Sequence, residues 1–286
     1  MRTVTSGDID LAVYEQGPAE APVVVLVHGY PDTHAVWDEV TQALSERFRV
    51  VRYDVRGAGA SDAPRATDAY RLEHLKNDLF AVIDAVSPGE PVHLVGHDWG
   101  SIQAWEAVTE PDSAKRIASF TSISGPCLDH FAYWARRNRG RPRMLKQLLH
   151  SWYIAAFQVP VVPELVWRTA GTWWPVYLRV FEGVRRAGHP APTVARDATR
   201  GLSLYRANFR GILGSPRERR TDVPVLVITL LKDRYLTAAS TEGLERWVTR
   251  LWRRRLFAGH WSALLGNGAT VARMISELID DIQGGP

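Results

Sequence analysis

The stretch PVHLVGHDWGSIQAWEAV, residues 91–108, runs from an apolar strand through a tight turn into an amphipathic segment, with an aspartate, Asp98, at the tip of the turn. Gly96, Gly100 and Ser101 surround that tip. Small residues are what a sharp strand-to-helix elbow needs if its central side chain is to stand exposed. The best-known elbow of this kind carries serine, and aspartate implies different chemistry. A serine attacking saturated carbon would give an ether that the enzyme could not hydrolyse, whereas a carboxylate gives an ester that water cleaves at its carbonyl. Asp98 therefore points to an electrophile at sp³ carbon, an epoxide or an alkyl halide, and away from esters and amides.

The same strand-then-helix order extends in both directions. Continuous apolar runs bounded by turn residues occur at 22–27, 48–54, 91–95, 117–124, 223–230 and 253–259. Continuous rather than alternating runs suit parallel strands covered on both faces. Amphipathic stretches at 35–46, 72–86, 99–110, 241–251 and 269–282 predict helices between them, so the order predicts a doubly wound, mostly parallel α/β sheet. The alternation stops between Pro126 and Ser215, a segment of helical pattern that holds five of the eleven tryptophans: Trp134, Trp152, Trp167, Trp173 and Trp174. We read 126–215 as a helical lid inserted between two parts of one core, 1–125 and 216–286.

Composition sets the outer limits. With 286 residues, 45% of them hydrophobic, the chain can bury a full core as one domain with an insertion. All but four of its 35 basic residues are arginine, and the net charge is +4. The basic clusters at 136–143, 217–220 and 253–255 are short and separated by acidic residues, so they read as solvated surface facing anionic lipid or another domain, not as a nucleic-acid patch. A single cysteine, Cys127, excludes an internal disulfide and offers no metal-ligand cluster. No metal and no cofactor are expected. The start, MRTVTSGDIDLAV, lacks a signal pattern, and the longest clean apolar run, 23–27, is too short to cross a bilayer. The expectation is a cytoplasmic protein without an integral membrane segment, with surface association left open.

Ligands of open parallel sheets bind at the carboxyl ends of the strands. There the sequence places HGYP (28–31), then Asp98, then Asp233 in LLKD, then His260. Asp98, Asp233, His260 is the order nucleophile, acid, histidine. Taken singly, Asp98 reads as a helix N-cap, Asp233 as a loop acid and His260 as a turn residue; all three at strand ends in this order favour catalysis. HGYPDTHAVWDEV (28–40), DVRGAGASD (54–62), GHDWGS (96–101) and the pair Gly259-His260 together resemble the epoxide hydrolase branch of the α/β-hydrolases, over essentially the whole chain. The match is most similar to the hydrolase half of mycobacterial epoxide hydrolases that also carry a C-terminal short-chain dehydrogenase domain. The resemblance implies the α/β-hydrolase fold and such a domain as a partner in a full-length protein.

Cleaving the ester needs a base and an oxyanion site. His260 is expected to activate water, held by Asp233, with the backbone N–H groups of Tyr30 and Trp99 binding the oxyanion. His28, Gly29 and Pro31 then shape the loop, and the resemblance implies a cis bond between Tyr30 and Pro31. Bulky Leu230 and Leu231 stand near a position where relatives usually carry glycine, so Asp129 is retained as a second candidate for the acid.

Opening an epoxide also needs a donor for the departing alkoxide, and a tyrosine hydroxyl can serve. SWYIAAFQVP (151–160) and SLYRANF (203–209) resemble the two lid-tyrosine motifs of epoxide hydrolases and assign that role to Tyr153 and Tyr205, while Tyr133 and Tyr177 read as packing. The expected partner is a small apolar epoxide. Haloalkane dehalogenase, with the same nucleophile, is the nearest alternative, but Tyr30 stands where an asparagine commonly binds halide, and two tyrosines suit an oxyanion better. Fluoroacetate dehalogenase would carry arginine where Trp99 stands. From a different class, a non-catalytic hydrolase-like binding domain would not need nucleophile, base, acid and tyrosines together.

Overall fold

The computed structural model describes residues 1–184, 189–209 and 215–284; residues 185–188 and 210–214 of the expected lid lie outside the described residues. β1 (Arg2–Ser6) and β2 (Ile9–Gln16) form an antiparallel hairpin through Gly7, whose φ of 61° is readily available to glycine. β3 (Val23–Val27), β4 (Arg49–Tyr53), β5 (Val92–His97), β6 (Ile117–Ile123), β7 (Val225–Leu230) and β8 (Leu251–Leu256) follow. One eight-stranded sheet results, in the order β1-β2-β4-β3-β5-β6-β7-β8, antiparallel through β4 and parallel from β4 to β8.

Every residue of β3 is buried, because the strand has a core on each face. Val23, Val25 and Val27 pack with Leu79, Val82 and Ile83 of helix α2 (Leu72–Val86) and Ala104 and Trp105 of helix α3 (Trp99–Val108). Val24 and Leu26 turn the other way, against Val40 and Leu44 of α1 (Asp38–Leu44) and Val271, Ile275 and Ile279 of α10 (Gly268–Gln283). Each buried Val or Leu side chain is worth about 1.5–3 kcal/mol. The loops that follow the central strands are therefore anchored to rigid ends.

Between β6 and β7 lie α4 (Leu128–Arg137), α5 (Pro142–His150), α6 (Trp152–Phe157), α7 (Val162–Ala170), α8 (Trp174–Tyr177) and α9 (Val194–Asn208). A third core joins them to the strand ends: Trp167, Leu202 and Tyr205 from these helices pack on Tyr30 and Trp99. Among the described residues no helix is long and apolar enough to cross a membrane.

All six runs read as strands are strands, although the last is Leu251–Leu256 and not 253–259. Two features depart from the sequence reading. The N-terminal hairpin was not among the expected strands. The helix expected over 241–251 is a short 3-10 turn, Leu244–Arg246, that leads straight into β8. Leu244, Trp247 and Val248 have helical spacing, but one turn suffices to bury all three, and Val248 then bridges to Thr221 at the sheet.

Candidate active site

Asp98 sits between β5 and α3 with φ 53° and ψ −125°, outside the regions that L-residues ordinarily adopt. Close packing holds it there. A Cβ on Gly100 would lie 2.0 Å from the Val27 carbonyl oxygen, and one on Gly125 would lie 2.1 Å from the carbonyl oxygen of Asp98 itself. The carboxyl oxygens of Asp98 have different neighbours. Oδ1 accepts from the backbone N–H of Trp99 and, at 3.5 Å, from that of Tyr30. Oδ2 lies 3.4 Å from Nε2 of His260. One oxygen thus rests on two fixed backbone donors while the other meets an imidazole.

The 28–31 loop brings the second donor to this point. His28 is fully buried: its Nε2 accepts from the Val55 N–H at 3.0 Å and its Nδ1 donates to the Gly29 carbonyl at 2.8 Å, so the neutral ring ties the end of β3 to the end of β4. Burial lowers its pKa, against the pull of Asp54, which keeps it in that form. A Cβ on Gly29 would lie 2.5 Å from the Asp98 Cβ, so only glycine allows the loop this close. The Tyr30–Pro31 peptide bond is cis.

His260 and Asp233 meet below Asp98. Nδ1 of His260 lies 3.1 Å from Oδ2 of Asp233, and both side chains are almost entirely buried. Burial alone would push the imidazole down, but the Asp233 charge and hydrogen bond, with those of Asp98, hold it well above the usual histidine range. Burial likewise opposes ionisation of Asp233, and His260, Ser124 and the Tyr235 N–H outweigh it, so its carboxyl is held below the usual range. His97 contributes from beneath, its Nε2 donating to the His260 carbonyl at 3.1 Å. Asp129 is elsewhere. It lies in the first turn of α4 and accepts from Nε of Arg219 at 2.9 Å and from the Arg217 N–H at 2.9 Å, within a buried cluster that includes Glu106.

Two chambers, of about 360 and 440 Å³, meet at this constellation. Asp98, Tyr153, Tyr205, Tyr235 and His260 line both, so Asp98, His260 and the two expected tyrosines stand at a shared waist. Tyr205 packs edge-on to Trp99 at 5.0 Å and Tyr153 edge-on to Tyr205 at 5.9 Å. Burial raises both phenols well above the usual tyrosine range, so their hydroxyls stay protonated. Tyr133 lies apart, donating to the Pro216 carbonyl at 3.1 Å. Tyr177 shares a short hydrogen bond with Tyr235 and lines the second chamber, more than the packing role read from sequence. A larger groove of about 690 Å³ lies around Thr109, Arg220 and Trp247 and holds none of these groups. Among the described residues no cluster of three or more His, Cys, Asp or Glu could hold a metal ion.

The sequence reading missed several contributors. Ser124, at φ 51° just after β6, hydrogen-bonds Oδ2 of Asp233 and lies 3.2 Å from Nδ1 of His260. The Tyr235 ring packs on His260 at 4.9 Å. Buried Glu182 accepts from the Trp261 N–H at 3.0 Å, fixing the loop that carries His260. Ser124 was within reach of the strand-end rule that found the others. Glu182 had no local signal, because its role depends on how the helical segment folds back.

Residues 22–158 match the family model described as alpha/beta hydrolase fold. A curated relative, the "Probable oxidoreductase EphD" of Mycobacterium tuberculosis, is 42% identical over 276 residues, covering 92% of this chain and 47% of the relative. The chain thus spans about half the length of the EphD proteins it matches. A crystal structure of Bacillus megaterium epoxide hydrolase with an inhibitor superposes with a TM-score of 0.81 at 20% identity, covering 98% of this chain and all of that one. Epoxide hydrolase from Vigna radiata superposes at 0.73 with 26% identity, covering 98% and 97%. In sheet order and elbow geometry the chain has the α/β-hydrolase fold, and in sequence and structure it is similar to EphD and to these epoxide hydrolases.

Proposed function

We propose that this chain is an epoxide hydrolase that converts an apolar epoxide into a vicinal diol through an ester on Asp98. The observation that carries the reading is the division of labour at Asp98: Oδ1 on two backbone N–H donors, Oδ2 beside His260, and two buried tyrosines across the same waist. The names of the structural neighbours point the same way. In this reading 126–215 is a lid, and 1–125 with 216–286 is the core that carries nucleophile, acid and base.

In the first step Asp98 Oδ2 attacks an epoxide carbon, the ring C–O bond breaks, and the alkoxide takes a proton from Tyr153 or Tyr205. An alkoxide is more basic than a phenolate in water, and burial at the same waist raises the basicity of both, so the direction of transfer is kept. In the second step His260 takes a proton from water as the hydroxide adds to Cγ of Asp98. Negative charge then develops on Oδ1, where the Tyr30 and Trp99 N–H groups already sit. One preorganised donor of this kind is worth about 2.7–4 kcal/mol. Collapse expels the alkoxide of the ester, which takes the proton left on the carboxyl, and the proton on His260 returns to the tyrosinate. The balance is epoxide plus water to diol.

The raised pKa of His260 fits this sequence. Beside two carboxylates the resting imidazole is protonated, which does not hinder attack by Asp98. Esterification removes the Asp98 charge, one of the groups holding the proton on, so His260 releases that proton to solvent and acts as base in the step that needs one, and it takes a proton back from solvent once the Asp98 carboxylate is restored.

A panel of aromatic epoxides beside bromoalkanes tests the reading, with Asp98→Ala as control. Diol formation that disappears in Asp98→Ala is the expected result. Halide release without diol would make the chain a haloalkane dehalogenase, and neither activity would favour a non-catalytic binding domain.

A further inference from the structure

Large apolar side chains standing in solvent are concentrated on one side of this molecule. Among the described residues 16 are exposed, and 13 of them lie between Leu145 and Phe181. Two more, Leu231 and Phe257, follow the carboxyl ends of β7 and β8, so all but Met1 lie in the helical segment or next to strand ends of the active-site side. On α5 the single buried residue is Gln147, while Leu145, Leu148 and Leu149 point outward. A monomer rarely leaves so much apolar surface uncovered without a use for it.

The same helical segment is basic. Residues 136–181 contain eight Arg and Lys residues and one acid, Glu164, a net +7; the chain as a whole is +4, so the remainder carries −3. The apolar residues also reach the chamber mouths. Exposed Leu148 lines the first chamber, and exposed Trp152 and Phe181 line the second, where the Arg234 guanidinium lies over the Phe181 ring at 5.3 Å. Outward apolar chains set among Arg and Lys, on short helices, are the pattern of segments that lie in a membrane interface. A second copy seated on this face would set two basic segments against each other, which disfavours self-association.

We propose that this outer face docks on an anionic lipid surface, its apolar side chains entering the headgroup region, with the chamber mouths opening toward the lipid. Docking stands on exposure and charge; only its consequence, delivery of an apolar epoxide from lipid to Asp98, rests on the hydrolase reading.

Vesicle flotation of the 286-residue chain tests it, using equal parts phosphatidylglycerol and phosphatidylcholine against phosphatidylcholine alone. Two variants avoid the chamber linings: Leu145→Ser/Leu149→Ser/Trp173→Ser and Arg139→Glu/Arg141→Glu, each checked for unchanged circular dichroism and melting. The chain should float with anionic vesicles and not with zwitterionic ones. Reversing two charges should lower partitioning by about tenfold or more, the apolar variant should abolish it, and both should hydrolyse a water-soluble epoxide at the parent rate. Absence of flotation, equal binding to both vesicles, or parent-like binding by both variants overturns the proposal, as does a concentration-dependent dimer lost in the same variants. Flotation without any hydrolysis leaves docking standing and removes the catalytic reading; hydrolysis without flotation does the reverse.

Discussion

Two aspartates competed in the sequence for the acid beside His260, and replacing each with its neutral amide should separate them cleanly. Asp129 sits in a buried cluster, its Oδ2 accepting from Arg219 Nε and its Oδ1 from the Arg217 N–H, both at 2.9 Å. Asp129→Asn removes the charge but leaves Arg219 paired with Glu106. The cost is therefore that of weakened charge-assisted hydrogen bonds, about 1.5–3 kcal/mol, and not that of an unpaired buried charge. At roughly 2–4 °C per kcal/mol for a chain near this size, Tm should fall by about 3 to 12 °C. The rate of ester hydrolysis should stay at the parent value. Asp233→Asn should instead leave His260 without its charged partner and present an amide N–H to Nδ1, favouring the wrong tautomer. Ester hydrolysis should then slow by about 10³–10⁴-fold. Calorimetry and single-turnover kinetics on the two variants decide the matter. Loss of hydrolysis in Asp129→Asn with unchanged melting, or a near-parent rate in Asp233→Asn, refutes the assignment.

Other consequences follow from the same geometry. Tyr153→Phe and Tyr205→Phe should each slow alkylation of Asp98, and the double variant should be slower by about 10²-fold or more; near-parent alkylation in the double variant removes the tyrosines from the mechanism. Gly125→Ala would set a methyl against the Asp98 carbonyl oxygen, at 2.1 Å, so the elbow must shift. It should cost about 1–3 kcal/mol by denaturant titration and most of the activity, and a parent-like enzyme would contradict the account of the elbow. The Asp233 pKa is depressed on folding, so its contribution to stability is present above the unfolded value and lost as pH falls through the folded one. His260 is raised, so its contribution is present below the unfolded value and is lost as pH rises through the folded one. In single-turnover kinetics the hydrolysis step should therefore quicken with rising pH through the titration of alkylated-state His260, while alkylation should change little over the same interval. The opposite pattern would place His260 in the first step.

Sequence patterning exposed the framework because the buried strands are continuous apolar runs. The convergence of Asp98, Asp233 and His260 was legible because the ends of parallel strands are where side chains meet. Asp129 was the second candidate for the acid, and it is held away from His260 by its pairing with Arg219, ninety residues further along the chain. The stretch 241–251 reads as a helix since Leu244, Trp247 and Val248 share a helical face, yet the bridge from Val248 to Thr221 commits the chain to the sheet after one turn. Tyr235 went unremarked because it does not stand out in its local sequence; it matters through a contact with His260 that tertiary structure creates.

The central claim is that Asp98 becomes covalently attached to substrate and that His260 releases it. His260→Gln, mixed with an epoxide that the parent chain turns over, should accumulate a one-to-one adduct of substrate mass, located on the peptide containing Asp98 by mass spectrometry and absent from Asp98→Ala/His260→Gln. Diol formation at the parent rate by His260→Gln, or an epoxide that is hydrolysed with no adduct at Asp98, would contradict it.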